Sequence, residues 1–395
     1  MIVQGYLRSD GRKGIRNIVA VAYLVECAHH VAREIVAPTP EAAHLIGFPG
    51  CFPNPYAQKM MERLCTHPNV GAVLLVSLGC ESFNRHQLEK VIRASGRPVE
   101  TLVIQQNNGT RSSIAKGRAF VADCIEQLAA MQPVPMDVSE LVVGTVCGGS
   151  DGTSGITGNP AAGRAFDRLV AEGATCIFEE TGELIGCEEI MADRAATPAL
   201  ADALRQAVAK AARYYATLGF GSFAAGNADG GLTTIEEKSL GAYMKSGQSN
   251  ISGIIKPGDI PPHGGLYLMD VVPDGEVRFG FPNISDNAEI VEMMASGAHL
   301  TLFITGRGSV VGSAIGPVLK IAANPHMYAR MSEDMDINAG RILDGEADLD
   351  EVADEIHAAV LALASGEKSK SEDLGHTEFI LTYKSFEPLG PACLG

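Results

Sequence analysis

The chain reads as an α/β protein: parallel-sheet layers covered by helices, arranged as two α/β units that share a site at strand carboxyl ends. Three observations predict this. Short β-branched apolar runs such as GAVLLVSLG alternate with longer segments of helical period. The chain has 395 residues, 46% of them hydrophobic, enough for a large core and more than one domain. Cysteines also recur just beyond the ends of four separate apolar runs, where loops of a parallel sheet gather.

Taken in order, the apolar runs predict strands over 16–23, 44–48, 71–78, 100–105, 141–146, 175–178, 266–271 and 299–305. Helical periodicity predicts helices over 27–36, 56–66, 85–95, 111–131, 160–172 and 198–218, with a late amphipathic helix over 348–365. The two prolines of Gln132-Pro-Val-Pro-Met-Asp stop one helical pattern before a new strand starts. Five glycines and no periodicity mark 219–231 as a second boundary. The expected organisation is an N-terminal α/β domain over 1–132, a second α/β segment over 137–225, and a C-terminal α/β region over 226–395 with an irregular Gly/Pro-rich part.

The net charge of −16 excludes a whole-molecule attraction to nucleic acid or to an anionic membrane. It also repels acidic substrates, so an acid would need a local basic cluster; Arg8, Arg12, Lys13 and Arg16 form the obvious one. The start MIVQGYLRSDGRKG carries no apolar leader, and no run reaches the ~18 charge-free apolar residues of a membrane span. A soluble, cytoplasmic protein is expected. Nine cysteines without a CxxC pair read as reduced thiols or ligands rather than disulfides.

Cys27, Cys51, Cys80 and Cys147 each follow a different strand, whereas Cys65, Cys124 and Cys176 fall inside predicted elements as small buried hydrophobes. If the first four converge, thiolates could hold iron or an iron–sulfur cluster, three of them leaving one iron position open to substrate. If they do not meet, they are ordinary loop-end cysteines. Glu179-Glu180-Thr181 and Thr305-Gly306-Arg307-Gly308-Ser309 also end strands, and an arginine beside glycine amides can clamp a carboxylate or sulfonate. The loop VCGGSDGTSG lacks the Walker and GxGxxG spacings yet resembles an anion-binding turn at Gly148 and Gly149, with Asn159-Pro160 expected to cap the next helix. Lys238, after a capping Thr-Thr, is a base if burial or cationic neighbours lower its pKa and a surface lysine otherwise. No HExxH and no GxSxG is present, which weakens zinc-protease and serine-hydrolase readings.

Together GYLRSDGRKGIRN, VECAHHVA, FPGCFPNPYA, HPNVGAVLLVSLGCE, CGGSDGTSGITGNPA, GGLTTIEEKSLG, TGRGS and EDMDINAGRILDG resemble the altronate/galactarate dehydratase family over about 5–345. The resemblance implies an iron-dependent or related metal-dependent lyase that eliminates water from sugar acids. GSFAAGNADGGLTTIEEKSLGAY, SGIIKPGDIPPHGGLYLMDVVPDGE and FGFPNISDNAEI look like the branch of that family that cleaves (2R)-sulfolactate to pyruvate and sulfite. Within this resemblance Lys238, Ser150 and Asp151 are expected to be catalytic, Arg12, Arg16, Gly148, Gly149 and Arg307 to bind a small anionic hydroxy acid, and Cys27, Cys51 and Cys80 to hold iron, with Cys147 as a fourth candidate. Many family members carry a small N-terminal SAF-type domain, so the resemblance further implies a large subunit with a small SAF-domain partner, in an oligomer. A sugar-acid dehydratase and a noncatalytic anion-binding subunit remain the alternatives.

Overall fold

The computed structural model describes residues 1–218, 225–274, 285–381 and 383–384; the 219–224 part of the expected boundary and the start of FGFPNISDNAEI lie outside the described residues. At the N-terminus β1 (Ile2–Leu7) pairs antiparallel with β2 (Lys13–Gly14). A parallel sheet follows from β3 (Ile18–Tyr23), β4 (Ala43–Gly47), β5 (Val70–Ser77) and β6 (Val99–Val103), in the order β4-β3-β5-β6. Its side chains alternate between faces. Ala20, Ala22, Val73 and Leu75 pack against the helices Pro55–Cys65 and Arg85–Ala94, while Val19, Val21, Leu74 and Val76 pack against Glu26–Val36 and Thr110–Ala129. Burial on both faces is why these strands read as continuous apolar runs.

β7 (Val134–Asp137) returns to pair antiparallel with β1. The second sheet is all parallel: β8 (Val142–Cys147), β9 (Thr175–Phe178), β10 (Ile251–Ile255), β11 (Gly265–Met269), β12 (Leu300–Thr305), β13 (Val318–Ala322) and β14 (Ile337–Asn338), in the order β10-β11-β9-β8-β12-β13-β14. The segments 137–225 and 226–395 therefore contribute to one sheet. One core cluster joins the lobes: Ala20, Leu75 and Met60 of the first meet Val146, Phe303 and Met293 of the second.

Differences from the expected elements have local causes. β13, VLKIA, carries the buried Lys320, whose ammonium lies 3.3 Å from His376 Nδ1, and that charge hides the strand's apolar pattern. The helix Asp286–Ala295 is buried from Ala288 to Ala295, Glu289 and Glu292 included, so no amphipathic period marks it. The helix expected at 160 starts at Gly158, and Asn159 does not cap it; its amide donates to the Gly241 carbonyl at 2.9 Å.

The N-terminal basic cluster is structural. Arg16 is held bidentate by Glu372, at 2.6 and 2.8 Å, and donates further to the Leu363, Glu367 and Ile15 carbonyls. Arg12 bonds Asp10 and the Thr66 carbonyl, and Arg8 bonds the Pro68 carbonyl. The expected substrate-binding task of Arg12 and Arg16 is thus replaced by stitching the N-terminus to both lobes. Between the lobes, His67 donates to the Ala298 carbonyl and His299 to the Lys13 carbonyl, and each accepts a backbone N–H through Nδ1. Burial pushes both imidazoles down, His299 to about 4.

Candidate active site at the end of the seven-stranded sheet

From β8 the chain crosses to β9 on one side through the helix Gly158–Ala171, and later reaches β12 on the other side through the helix Asp286–Ala295. The two helices lie on opposite faces, the first packed with Val143 and Leu302, the second with Val146 and Phe303. The loops after β8 and β12 consequently part, and a crevice opens where parallel sheets bind ligands.

The loop after β8 is more rigid than a free anion cradle. Three of its amides are engaged: Gly148 N–H donates to the Ile304 carbonyl, Asp151 N–H to Ser154 Oγ, and Gly152 N–H to the Gly230 carbonyl. Asp151 Oδ1 accepts from the Thr153 and Ser154 backbones and hydroxyls, and Oδ2 accepts from Asn324 at 3.1 Å. Asp151 is therefore the loop's organiser, and only glycine fits at 306, where a Cβ would come within 2.1 Å of its carboxylate. At Gly148 a Cβ would come within 1.9 Å of Asp286 Oδ2. The Gly149 carbonyl accepts from the Arg307 backbone N–H at 2.9 Å, and the exposed Arg307 guanidinium bonds the Gly226 carbonyl.

Ser150 and Lys238 come together. Lys238, on the helix Ile235–Tyr243, is nearly buried; its ammonium donates to Glu183 at 2.6 Å and to Ser150 Oγ at 3.4 Å. The helix is started by Thr234, whose hydroxyl accepts from Glu237 N–H. Both side chains line a cavity of 260 Å³, with Ser154, Gly155, Gly241 and Met244 among its walls. Behind Lys238 lies a chamber of charges. The Cys147 thiol donates to Glu180 at 3.3 Å and Glu183 at 3.6 Å, and the fully buried Lys245 pairs with Glu180 and lies 3.5 Å from the sulfur. Glu180 is held left-handed, at φ 76°, a conformation costly for a residue with a Cβ and characteristic of functional turns.

Burial opposes charge on Lys238, but Glu183 and Cys147 outweigh it and hold the ammonium above the ordinary lysine value. Burial pushes the Cys147 thiol up, against the pull of Lys245. Burial and the charge of Glu183 raise Asp286 to about 6. Glu289 is pushed up to about 8, chiefly by burial, with Asp286, Glu292 and Glu183 adding repulsion against the pull of Lys384.

Two overlapping sets of donors stand close enough to hold an ion: Cys147, Glu180 and Glu183; and Glu179, Glu180 and Glu289. In each, one ligand atom per residue lies within 4.8 Å of the others. The expected rim of four cysteines divides between the lobes. Cys147 is buried on β8, whereas Cys27, in the first turn of the helix Glu26–Val36, and Cys51 and Cys80, on the loops beyond β4 and β5, are exposed. Those loops are knit together by Glu26 N–H to the Pro49 carbonyl and Ser82 N–H to the Cys51 carbonyl. Among the described residues no single-ion set includes the three thiols; a cluster spaces its thiolates more widely. Lys245, Asp286 and Glu289 escape the sequence reading altogether, and Glu183 was legible only as the end of Glu-Glu-x-x-Glu after an apolar run.

Residues 138–386 match the family described as D-galactarate/altronate dehydratase, C-terminal, and residues 5–129 match D-galactarate dehydratase/altronate hydrolase, second domain. The chain belongs to the galactarate/altronate dehydratase family. This family member is 35% identical to (2R)-sulfolactate sulfo-lyase subunit beta of Chromohalobacter salexigens over 96% of each chain. It is 28% identical to altronate dehydratase of Escherichia coli, covering 94% of this chain and 75% of that one. Galactarate dehydratase (L-threo-forming) of the same organism is 31% identical, over 80% of this chain and 60% of its own. These relatives are lyases, so a lyase-class or dehydratase-family activity is supported, and the chamber supplies donors a metal could use. Among the described residues no helix is long and apolar enough to cross a membrane.

Proposed function

We propose that the protein is a carbon–sulfur lyase that cleaves (2R)-sulfolactate to pyruvate and sulfite, as the large subunit of a two-subunit enzyme. The similarity to the sulfo-lyase subunit, running over 96% of both chains, carries this reading. The same similarity, to a protein named as a subunit beta, supports a partner subunit, for which a small SAF-domain protein is our candidate.

In this reading the acid enters the 260 Å³ cavity, and its anionic groups meet the Lys238 ammonium and Ser150 Oγ, with Arg307 as a further anion-binding candidate on the loop after β12. Glu183, poised between Lys238 and Cys147, takes the proton from C2. Lys238 is already protonated, so its part passes from base to stabiliser of the enediolate charge that then develops. The C3–S bond breaks with its electron pair leaving on sulfite, and the enol takes a proton at C3 to give pyruvate. Cys27, Cys51 and Cys80 would hold iron or an iron–sulfur cluster, with Cys147 as a fourth candidate. Iron bound there would supply Lewis-acid polarisation of the substrate's oxygens.

The test is incubation of the anaerobically prepared chain, with and without a small SAF-domain partner, with sulfolactate, altronate and galactarate. Equal yields of sulfite and pyruvate from sulfolactate are expected. Keto acid without sulfite, from a sugar acid alone, would make it a hydro-lyase; ligand binding with no turnover, with partner and iron present, would make it a binding subunit.

A further inference from the structure

The loop 48–54 is the hub of the thiol rim. It carries Cys51, its Pro49 carbonyl accepts from the Glu26 N–H next to Cys27, and its Cys51 carbonyl accepts from the Ser82 N–H shortly after Cys80. The spacing of all three thiols therefore depends on where this loop is held.

Its holder comes from residues 378–381 and 383–384. The Tyr383 ring packs edge-on against Phe48, with 5.2 Å between centroids, and at Gly50 a Cβ would overlap the Tyr383 hydroxyl, so glycine is what lets the two segments lie this close. Asn54 uses both ends of its amide. Oδ1 accepts from Ala57 N–H at 3.0 Å and starts the helix Pro55–Cys65, while Nδ2 donates to the Lys384 carbonyl at 2.6 Å. Lys384 is in turn anchored in the second lobe. Its ammonium, without measurable exposure, bonds both oxygens of Glu292 on the helix Asp286–Ala295, at 2.7 and 2.8 Å. Glu292 also accepts from the Tyr56 hydroxyl at 2.5 Å. Upstream, Leu381 is buried in the core that joins the lobes, and Glu378 accepts from Gly312 N–H at 2.7 Å.

A buried ion pair costs desolvation that apolar side chains of similar size avoid, so it is a poor device for stability alone. What it does supply is a single position for the segment, because one ammonium shared by two carboxylate oxygens fits one geometry.

We propose that Tyr383 and Lys384 are positioning residues for the thiol rim: the C-terminal segment latches the Cys51 loop to Glu292 of the second lobe and so presets the spacing of Cys27, Cys51 and Cys80. The latch leaves all three thiols exposed. Its consequence for iron rests on the reading that these thiols hold it; the latch itself does not.

Amide hydrogen exchange of chelator-stripped full-length protein, read at Glu26 and Ser82, tests the latch without iron. Two variants break it at different places. Lys384→Met combined with Glu292→Gln removes the ion pair without stranding a buried charge, and Asn54→Asp keeps the helix cap but loses the bond to the Lys384 carbonyl. In both, exchange at the two amides should quicken at least tenfold while β5 and β8 stay within twofold of wild type. Tyr383→Ala should loosen the same amides, and Tyr383→Phe, which keeps the ring on Phe48, should not. Iron release from reconstituted protein to a chelator is the second reading. It should be about tenfold faster in both latch variants, with KM for sulfolactate within twofold because the cavity beside Lys238 is untouched. Wild-type exchange at Glu26 and Ser82 in both variants overturns the latch, and so does quickening spread evenly over β5 and β8, which is general loss of stability. Quickened exchange at the two amides, in a protein whose wild type binds no iron, would keep the latch and take iron away from the thiols.

Discussion

The two parallel sheets end in opposite kinds of rim. Beyond β3, β4 and β5, three cysteines stand on the surface, with Phe52 beside them 74% exposed. Beyond β8 and β9, a cysteine, glutamates and two lysines are enclosed, Lys245 and Glu179 without measurable exposure. Both rims lie at the carboxyl ends of parallel strands, so what differs is cover. The helix Ile235–Tyr243 closes over the loop after β8, with Gly155 and Gly241 in near contact, and no comparable element roofs the thiols among the described residues. Removing water is what makes the second rim electrostatically strong, since the same charges interact far more weakly in solvent.

The largest expected effect tests whether the enclosed rim carries the chemistry. Lys238→Met should lower kcat on the order of 10³-fold with the fold intact by circular dichroism, because a preorganised charge is lost from a dry site. Activity within tenfold of wild type would move the chemistry elsewhere.

Next comes the weld between the lobes. The folded pKa of His299 lies near 4, below the ordinary 6.5, so between these values the unfolded chain binds more protons and stability must fall as pH drops. Urea unfolding should show roughly 2 kcal/mol lost between pH 7.5 and pH 5 on this account, a dependence that His299→Asn removes. An unchanged pH slope in the variant would mean that His299 is not the group whose protonation destabilises the fold.

For the open rim, Cys80→Ser should cut iron content about tenfold or more with little change in Tm, since the thiol is exposed. Stoichiometric iron surviving the change would sink the cluster and leave the enclosed rim as the candidate metal holder.

Smallest is Arg307→Lys, which keeps the charge but loses the planar fork. KM should rise about fivefold at unchanged kcat. An effect confined to kcat would take Arg307 out of substrate binding.

Much of this was legible in the sequence because it depends on local chemistry. Thr175–Phe178 is a strand in both readings, and β3, β4, β5 and β8 shift only by a residue or two, since strands buried on both faces announce themselves as apolar runs. Strand-end placement singled out Cys147 and Arg307, the capping Thr-Thr drew notice to Lys238, and the block-by-block resemblance added Ser150 and pointed to the family before any contact was known. What the linear reading lacked was the assignment of partners. Arg16 and Lys238 are both cations near glycines, yet Glu372 occupies one as a structural clasp and Glu183 sets the other at a cavity wall. Asp151 looked like a substrate contact until Thr153, Ser154 and Asn324 were seen to use its oxygens.

The sequence by itself determined the alternation of strands and helices and which loops gather at strand ends, because side-chain period and backbone propensity act within a few residues. Only the tertiary structure decided that Lys245 and the helix turn carrying Asp286 and Glu289, far from β8 and β9 in the chain, close a buried chamber around Cys147 and Glu180. Charge strength, protonation and metal affinity depend on how much water the packed neighbours exclude, and that is a property of the assembled fold.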